Sequence, residues 1–192
     1  MDADTGSDPD VSSAIVCEVI DRIVFCLESI SLDFDRWEDP QVRGPGLYVV
    51  IAVGNTIDEY VVPMGTNRWP VETCSNVFDD LDAFYRAGKR VSTECDGAVI
   101  VTADGTIREE MVRIHDLSLA DLEELGVESI EYDDWMGARH MSALETSMRP
   151  DVVATVTLSE EGGRVTVFDD GEYTSSLHHE LGGTWRVSAD ST

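Results

Sequence analysis

From Leu47 to Val53 the chain reads LYVVIAV, an apolar run broken only by the hydroxyl of Tyr48. A strand with one face in water alternates polar and apolar side chains, and this one does not. The β-branched Val49, Val50 and Ile51 favour extended backbone, so the run predicts a central strand buried on both faces. Such a strand needs covering elements on either side of its sheet. One is indicated at 13–30, where Ile15, Val16, Val19, Ile20, Ile23, Val24, Leu27 and Ile30 recur at helical spacing after an N-cap at Ser12 or Ser13. That stripe faces either the sheet or a partner helix.

The remaining pattern alternates in type. A second helix is expected from Ser75 to Ala87, ended by Gly88. AVIV at 98–101 and TIREEMVRI at 106–114, separated by Ala103-Asp104-Gly105, predict a hairpin. SLADLEELG at 118–126 predicts a short helix with Ser118 as its cap and Gly126 just past its end. Another helix is expected to start between Arg139 and Ser142, because Ser142 and Glu145 have the spacing of a capping box. VVATVTL at 152–158 and RVTVF at 164–168 predict two strands around the turn SEEGG, and the last twenty residues are the least defined. The whole is an α/β chain: a single domain over 12–192 with a central mixed β-sheet flanked by helices and a core at about 47–170, behind an acidic, disordered lead at 1–11.

Charge narrows the partners. Thirteen Lys and Arg residues stand against 39 Asp and Glu, a net charge of −26 spread along the chain, which argues against binding nucleic acid phosphates or an anionic membrane. A hydrophobic content of 42% still allows a packed core. Lys89 is the sole lysine, and a lysine-poor, acidic surface suits multimolar salt, so a halophilic, cytoplasmic protein is expected. The N-terminus MDADTGSDPD lacks the basic start of a secretory signal, and Glu18, Asp21, Arg22 and Glu28 interrupt the apolar stretch behind it, so neither export nor membrane insertion is indicated. Cys17, Cys26, Cys74 and Cys95 form no Cys-x-x-Cys pair and read as buried free thiols.

Two segments place reactive groups at the end of an apolar element. In Asp96-Gly97-Ala98, Gly97 lets a ligand approach the backbone while Asp96 offers a carboxylate to a metal or a proton; Asp-Gly is also an ordinary turn. In Gly137-Ala138-Arg139-His140, first-turn N–H groups favour an anion and Arg139 can hold a phosphate bidentately, with His140 at a phosphate oxygen or a metal; the same residues also suit a solvated helix start. His178-His179 reads as a surface pair, His115 as a loop residue, and Trp37, Trp69, Trp135 and Trp185 as scattered packing anchors.

Taken in order, DGAVIV, GARH and VVATVTLSEEGGRVTVF resemble the motifs of the diadenylate cyclase domain, the family of the DNA-integrity scanning protein and its membrane-bound and archaeal relatives. The resemblance runs from about Leu47 to Phe168 and is strongest from Asp96 onward. It implies condensation of two ATP into cyclic di-AMP with release of two pyrophosphates, a divalent metal (Mn²⁺ or Mg²⁺), and a homodimer or larger homo-oligomer with opposed active sites. By the same resemblance Asp96 lies beside the attacking ribose 3′-hydroxyl and Gly97 and Ala98 line the nucleotide. Gly137, Arg139 and His140 lie at the phosphates. Ser159 and Glu160 contact substrate, while Glu161, with His140, helps place the metal.

The chain departs from the family's Gly-Thr-Arg-His-Arg at Ala138 and Met141, losing one hydroxyl and one cation, and its 115–136 segment is longer than in bacterial members. A degenerate nucleotide-binding relative without turnover is the alternative these departures suggest. An acidic DNA mimic is a third reading, from charge alone; the dispersal of the acids counts against it.

Overall fold

Strand β1 (Leu47–Ala52) is buried at every position, and its alternate side chains serve two separate cores. Leu47, Val49 and Ile51 meet Val19, Ile23 and Leu27 of helix α1 (Ser13–Leu32) and Phe84, Ala87 and Val91 of helix α2 (Leu81–Glu94). Tyr48, Val50 and Ala52 instead meet Ala143 and Leu144 of a helix at Ala138–Ser147. That two-sided burial is why the sequence shows no polar alternation there. These contacts belong to a computed structural model that describes residues 13–54 and 56–182, so the expected lead at 1–11 and Trp185 lie outside the described residues.

The main sheet has the order β3 (Val99–Thr102), β1, β5 (Val152–Leu158), β6 (Val165–Asp169), β7 (Glu172–Ser176). β1 is parallel to β3 and antiparallel to β5, and β5, β6 and β7 form an antiparallel meander, so the sheet is mixed, as expected. A second, two-stranded sheet joins β2 (Val61–Arg68) to β4 (Glu110–Ile114) and delivers Val112 and Ile114 to the core beneath Ala143 and Leu144. Helix α3 (Leu119–Leu125) has the predicted ends: Ser118 and Asp121 form a capping box, and Gly126 is left-handed at φ 70°. Helix α4 is the Ala138–Ser147 element. Among the described residues no helix is long and apolar enough to cross a membrane.

Several expectations are corrected. The second helix does not span 75–87. It starts after Asp80, whose carboxylate accepts the N–H groups of Asp82 and Ala83, while Ser75 and Asn76 donate theirs to Asp79 in a preceding turn. Nor does Gly88 end it. A Cβ there would sit 3.2 Å from Cys26 Sγ and from Ile30 Cδ1, so the glycine serves the close approach of α1 and α2, and packing offsets its poor helix propensity.

The 98–114 hairpin forms, but without a continuous ladder: Thr102 N–H donates to Thr106 C=O and Arg108 N–H to Ile100 C=O, both at 2.9 Å. Its arms share single bridges (Ala98 with Val112, Val101 with Ile107), because Ile107 N–H goes to Ser75 C=O and β4 ladders with β2. Ser142 lies inside α4 rather than capping it, and Glu145 accepts instead from Leu117 N–H and Tyr132 OH. Cys26 and Cys74 are buried free thiols, but Cys17 is exposed and Cys95 half-buried. His179 is exposed, whereas His178 is half-buried with Nδ1 3.0 Å from Ser31 Oγ. His115 is an exposed loop residue, Trp69 is a fully buried anchor, and Trp37 and Trp135 are half-buried.

Candidate functional site

Between α2 and β3 the backbone turns through Asp96-Gly97. Gly97 has φ +101°, and a Cβ there would lie 2.8 Å from Val112 O and 2.9 Å from Met64 Cγ, so any larger residue is disfavoured on two counts. Ala98 then exchanges both backbone hydrogen bonds with Val112, at 2.7 and 3.0 Å, which fixes the turn against the small sheet. Asp96, one residue earlier, is exposed.

Gly137 is the N-cap of α4, with no side chain capping the helix and nothing within 4 Å of where its Cβ would be. Uncapped first-turn N–H groups at an open position are suited to an anion. Arg139, in that first turn, is largely buried and ion-pairs with Glu160 of the β5–β6 turn. That turn is closed by Ser159 N–H to Arg164 C=O at 2.9 Å and Gly163 N–H to Ser159 C=O at 3.1 Å, while Ser159 Oγ accepts Glu161 N–H at 3.4 Å.

Two adjoining cavities result. One, of about 370 Å³, is lined by Gly97, Ala98, Tyr48, Met64 and Asp116 together with Ala138 and Arg139. The other, of about 310 Å³, is lined by Gly137, His140, Ser159, Glu160, Glu161, Arg43 and Trp135, again with Ala138 and Arg139. The α4 N-terminus is thus the wall common to both. Of the sequence-derived candidates, Gly97, Ala98, Gly137, Arg139, His140, Ser159, Glu160 and Glu161 line one or both cavities, and Asp96 adjoins Gly97.

His140 is 6% exposed, its ring packs edge-on against Trp135 at 5.0 Å, and its buried Nε2 has no hydrogen-bond partner. Burial, reinforced by the charges of Arg139 and Arg164, lowers its pKa to about 4. The imidazole is therefore neutral at pH 7, which suits a metal ligand or a hydrogen-bonding group better than a phosphate-binding cation. Among the described residues no group of three or more His, Cys, Asp or Glu is gathered to hold a metal by itself. His140 and Glu161 line the same cavity, residue types that can serve a divalent ion whose remaining ligands come from phosphate oxygens and water, although Nε2 itself is buried.

The sequence reading gave no site role to Arg43, Tyr48, Met64, Asp116 or Trp135, taking Tyr48 as a strand residue and Trp135 as a packing anchor. Tyr48 is a strand residue whose hydroxyl donates to Ser142 C=O, with burial pushing its pKa up; Asp116 and Trp135 belong to the 115–136 segment, and Arg43 to a polar connection. The Asp96 and Arg139 motifs gave no signal for any of them.

The model of a known family, DAC (DisA bacterial checkpoint controller nucleotide-binding), matches residues 84–173. Among solved structures, a hypothetical membrane spanning protein from Bacillus cereus is similar at 19% identity and a TM-score of 0.55, with 83% of this chain covered. This chain spans 64% of the length of that one. DacA from Staphylococcus aureus, as a cysteine double mutant, matches at 17% identity and a TM-score of 0.49 over 86% of this chain and 90% of that one. No curated protein matches. The first of these structures shares the α/β fold, and the family match contains every candidate residue from Asp96 to Glu161. Over residues 84–173, a little under half of its length, the chain matches the DAC family of nucleotide-binding domains.

Proposed function

We propose that the chain is a diadenylate cyclase. The observation that supports this most is the shared wall: Ala138 and Arg139 border both the cavity at Gly97–Ala98 and the cavity at Ser159–Glu161, so a nucleoside in the first can extend its phosphates into the second. The ribose 3′-oxygen of each ATP attacks the α-phosphorus of the other, an O–P bond forms, and the bond to pyrophosphate breaks; two such steps close the ring. Asp96 accepts the 3′-hydroxyl proton. Arg139 and the uncapped α4 N–H groups hold phosphate oxygens, and Gly97 permits close approach of the nucleotide to backbone. His140 and Glu161 would hold the Mn²⁺ or Mg²⁺, whose charge offsets that of the phosphates.

Because each ATP attacks the other, two protomers must present opposed sites, giving a homodimer at minimum. The acidic surface makes that association, and activity, rise with KCl, in keeping with a halophilic cytoplasmic enzyme. Incubation with ATP and Mn²⁺ or Mg²⁺ in high KCl, with separation of products, tests the reading: cyclic di-AMP supports it. Nucleotide bound without product would favour the degenerate relative, a reading to which Ala138, Met141 and the engagement of Arg139 by Glu160 lend weight.

A further inference from the structure

Glu160 carries two cations. Besides Arg139, it ion-pairs with Arg43, which arrives from the connection between α1 and β1, outside the segment matched by the family. Both arginines line the 310 Å³ cavity. Their meeting is built into the backbone. Gly44 N–H donates to Glu160 C=O at 3.1 Å and Gly46 N–H to Ser92 C=O at 2.9 Å, so the connection is tied to the β5–β6 turn and to α2. A Cβ at Gly46 would run into the Glu160 side chain and an Arg139 guanidinium nitrogen, so a larger residue there would have to displace the pair.

The two partners differ in burial. The Glu160 side chain is 14% exposed and Arg139 23%, but Arg43 is 76% exposed, so its guanidinium is free to reorient with little desolvation. In a chain of net charge −26, this cavity gathers two guanidiniums and an uncapped helix start, balanced by the carboxylates of Glu160 and Glu161.

We infer that Arg43 is a second polyphosphate-binding residue of this site and that Glu160 holds its place, its carboxylate occupying Arg43 and Arg139 until phosphate displaces it. This deepens the nucleotide reading proposed above and rests on it for the identity of the natural ligand. It also gives the site a second cation although Met141 supplies none in the first turns of α4.

The test is titration of the full chain with inorganic tripolyphosphate, free of metal and at fixed KCl, followed by ATP turnover with metal. Arg43→Ala should weaken tripolyphosphate binding about tenfold or more, as expected for loss of a charge-assisted contact. Arg43→Lys should recover part of it, and Glu160→Gln should bind tripolyphosphate more tightly than the parent. The melting temperature of Arg43→Ala should stay near the parent's, which separates ligand binding from support of the fold. Equal affinity in Arg43→Ala and parent, weaker binding by Glu160→Gln, or no binding by the parent would overturn the inference. A parent that makes no cyclic di-AMP, yet binds tripolyphosphate through Arg43, would overturn the cyclase reading alone.

Discussion

Replacing Gly97 with alanine tests the backbone on which the nucleotide reading depends. At φ +101° an L-residue pays about 1–2 kcal/mol of strain. Its Cβ, 2.8 Å from Val112 O and 2.9 Å from Met64 Cγ, adds an overpacking cost of about 1–3 kcal/mol, since the carbonyl is pinned by its bond from Ala98 N–H. Reduced freedom of the unfolded chain returns about 0.4–1 kcal/mol. The net loss is about 1–5 kcal/mol with a midpoint near 3, which for a domain of this size lowers the melting temperature by roughly 6–12 °C at the midpoint. Gly137→Ala is the control: φ is −85° and no atom lies within 4 Å of its Cβ, so the change should stay within about 1 kcal/mol, the residual cost being a poorer N-cap. Thermal and urea unfolding of both variants in the same KCl would measure the difference. Equal losses in the two would refute the claim that Gly97 is fixed by conformation and contact.

Lowering the pH from 6.5 toward 4 should cost stability through His140, because only the unfolded chain takes up that proton in this window; the contribution is complete above 6.5 and amounts to about 3 kcal/mol. His140→Gln should flatten that part of the profile, and an unchanged parent-minus-variant difference across the window would show that the imidazole titrates normally. At pH 8 a thiol reagent should label exposed Cys17 rapidly and buried Cys26, whose pKa burial raises to about 12, only on unfolding; early labelling of Cys26 would contradict the α1–α2 packing. Asp96→Asn should fold normally and form no cyclic di-AMP, while Arg139→Ala should weaken ATP binding and turnover together; wild-type rates in the first, or wild-type affinity in the second, would remove that residue from the site.

What the sequence made legible depended on how much each feature was decided locally. β1, β5 and β6 carry their own hydrophobic patterns, and α3 carries both of its caps, so these were readable without the rest of the molecule. β2 was missed because Pro63 and Gly65 interrupt it and its partly exposed residues follow no simple alternation; Pro63 is tolerated in a small, two-stranded sheet. Gly88 misled because a helix-ending residue and a helix-packing residue look alike until α1 is placed beside it. Within the site, Gly97 and Arg139 stand at element ends that the pattern exposed. Arg43 acquires its place only when Gly44 and Gly46 dock on residues remote in sequence.

The pairing of β1 with β5 also bears on how the protein is made. Residues 47–52 must wait for residues 152–158 before their second edge is satisfied, whereas β5, β6 and β7 join through short turns and can assemble on their own. Such non-local closure slows folding, and during synthesis it leaves LYVVIAV unpaired along one side while about a hundred further residues emerge. A segment of that composition is a template for intermolecular β-pairing. Asp33, Asp35, Glu38 and Asp39 precede it and Asp58 and Glu59 follow, so a nascent chain that brought two copies of β1 together would also bring these carboxylates together. The negative flanks therefore act as gatekeepers for the strand before the fold can protect it.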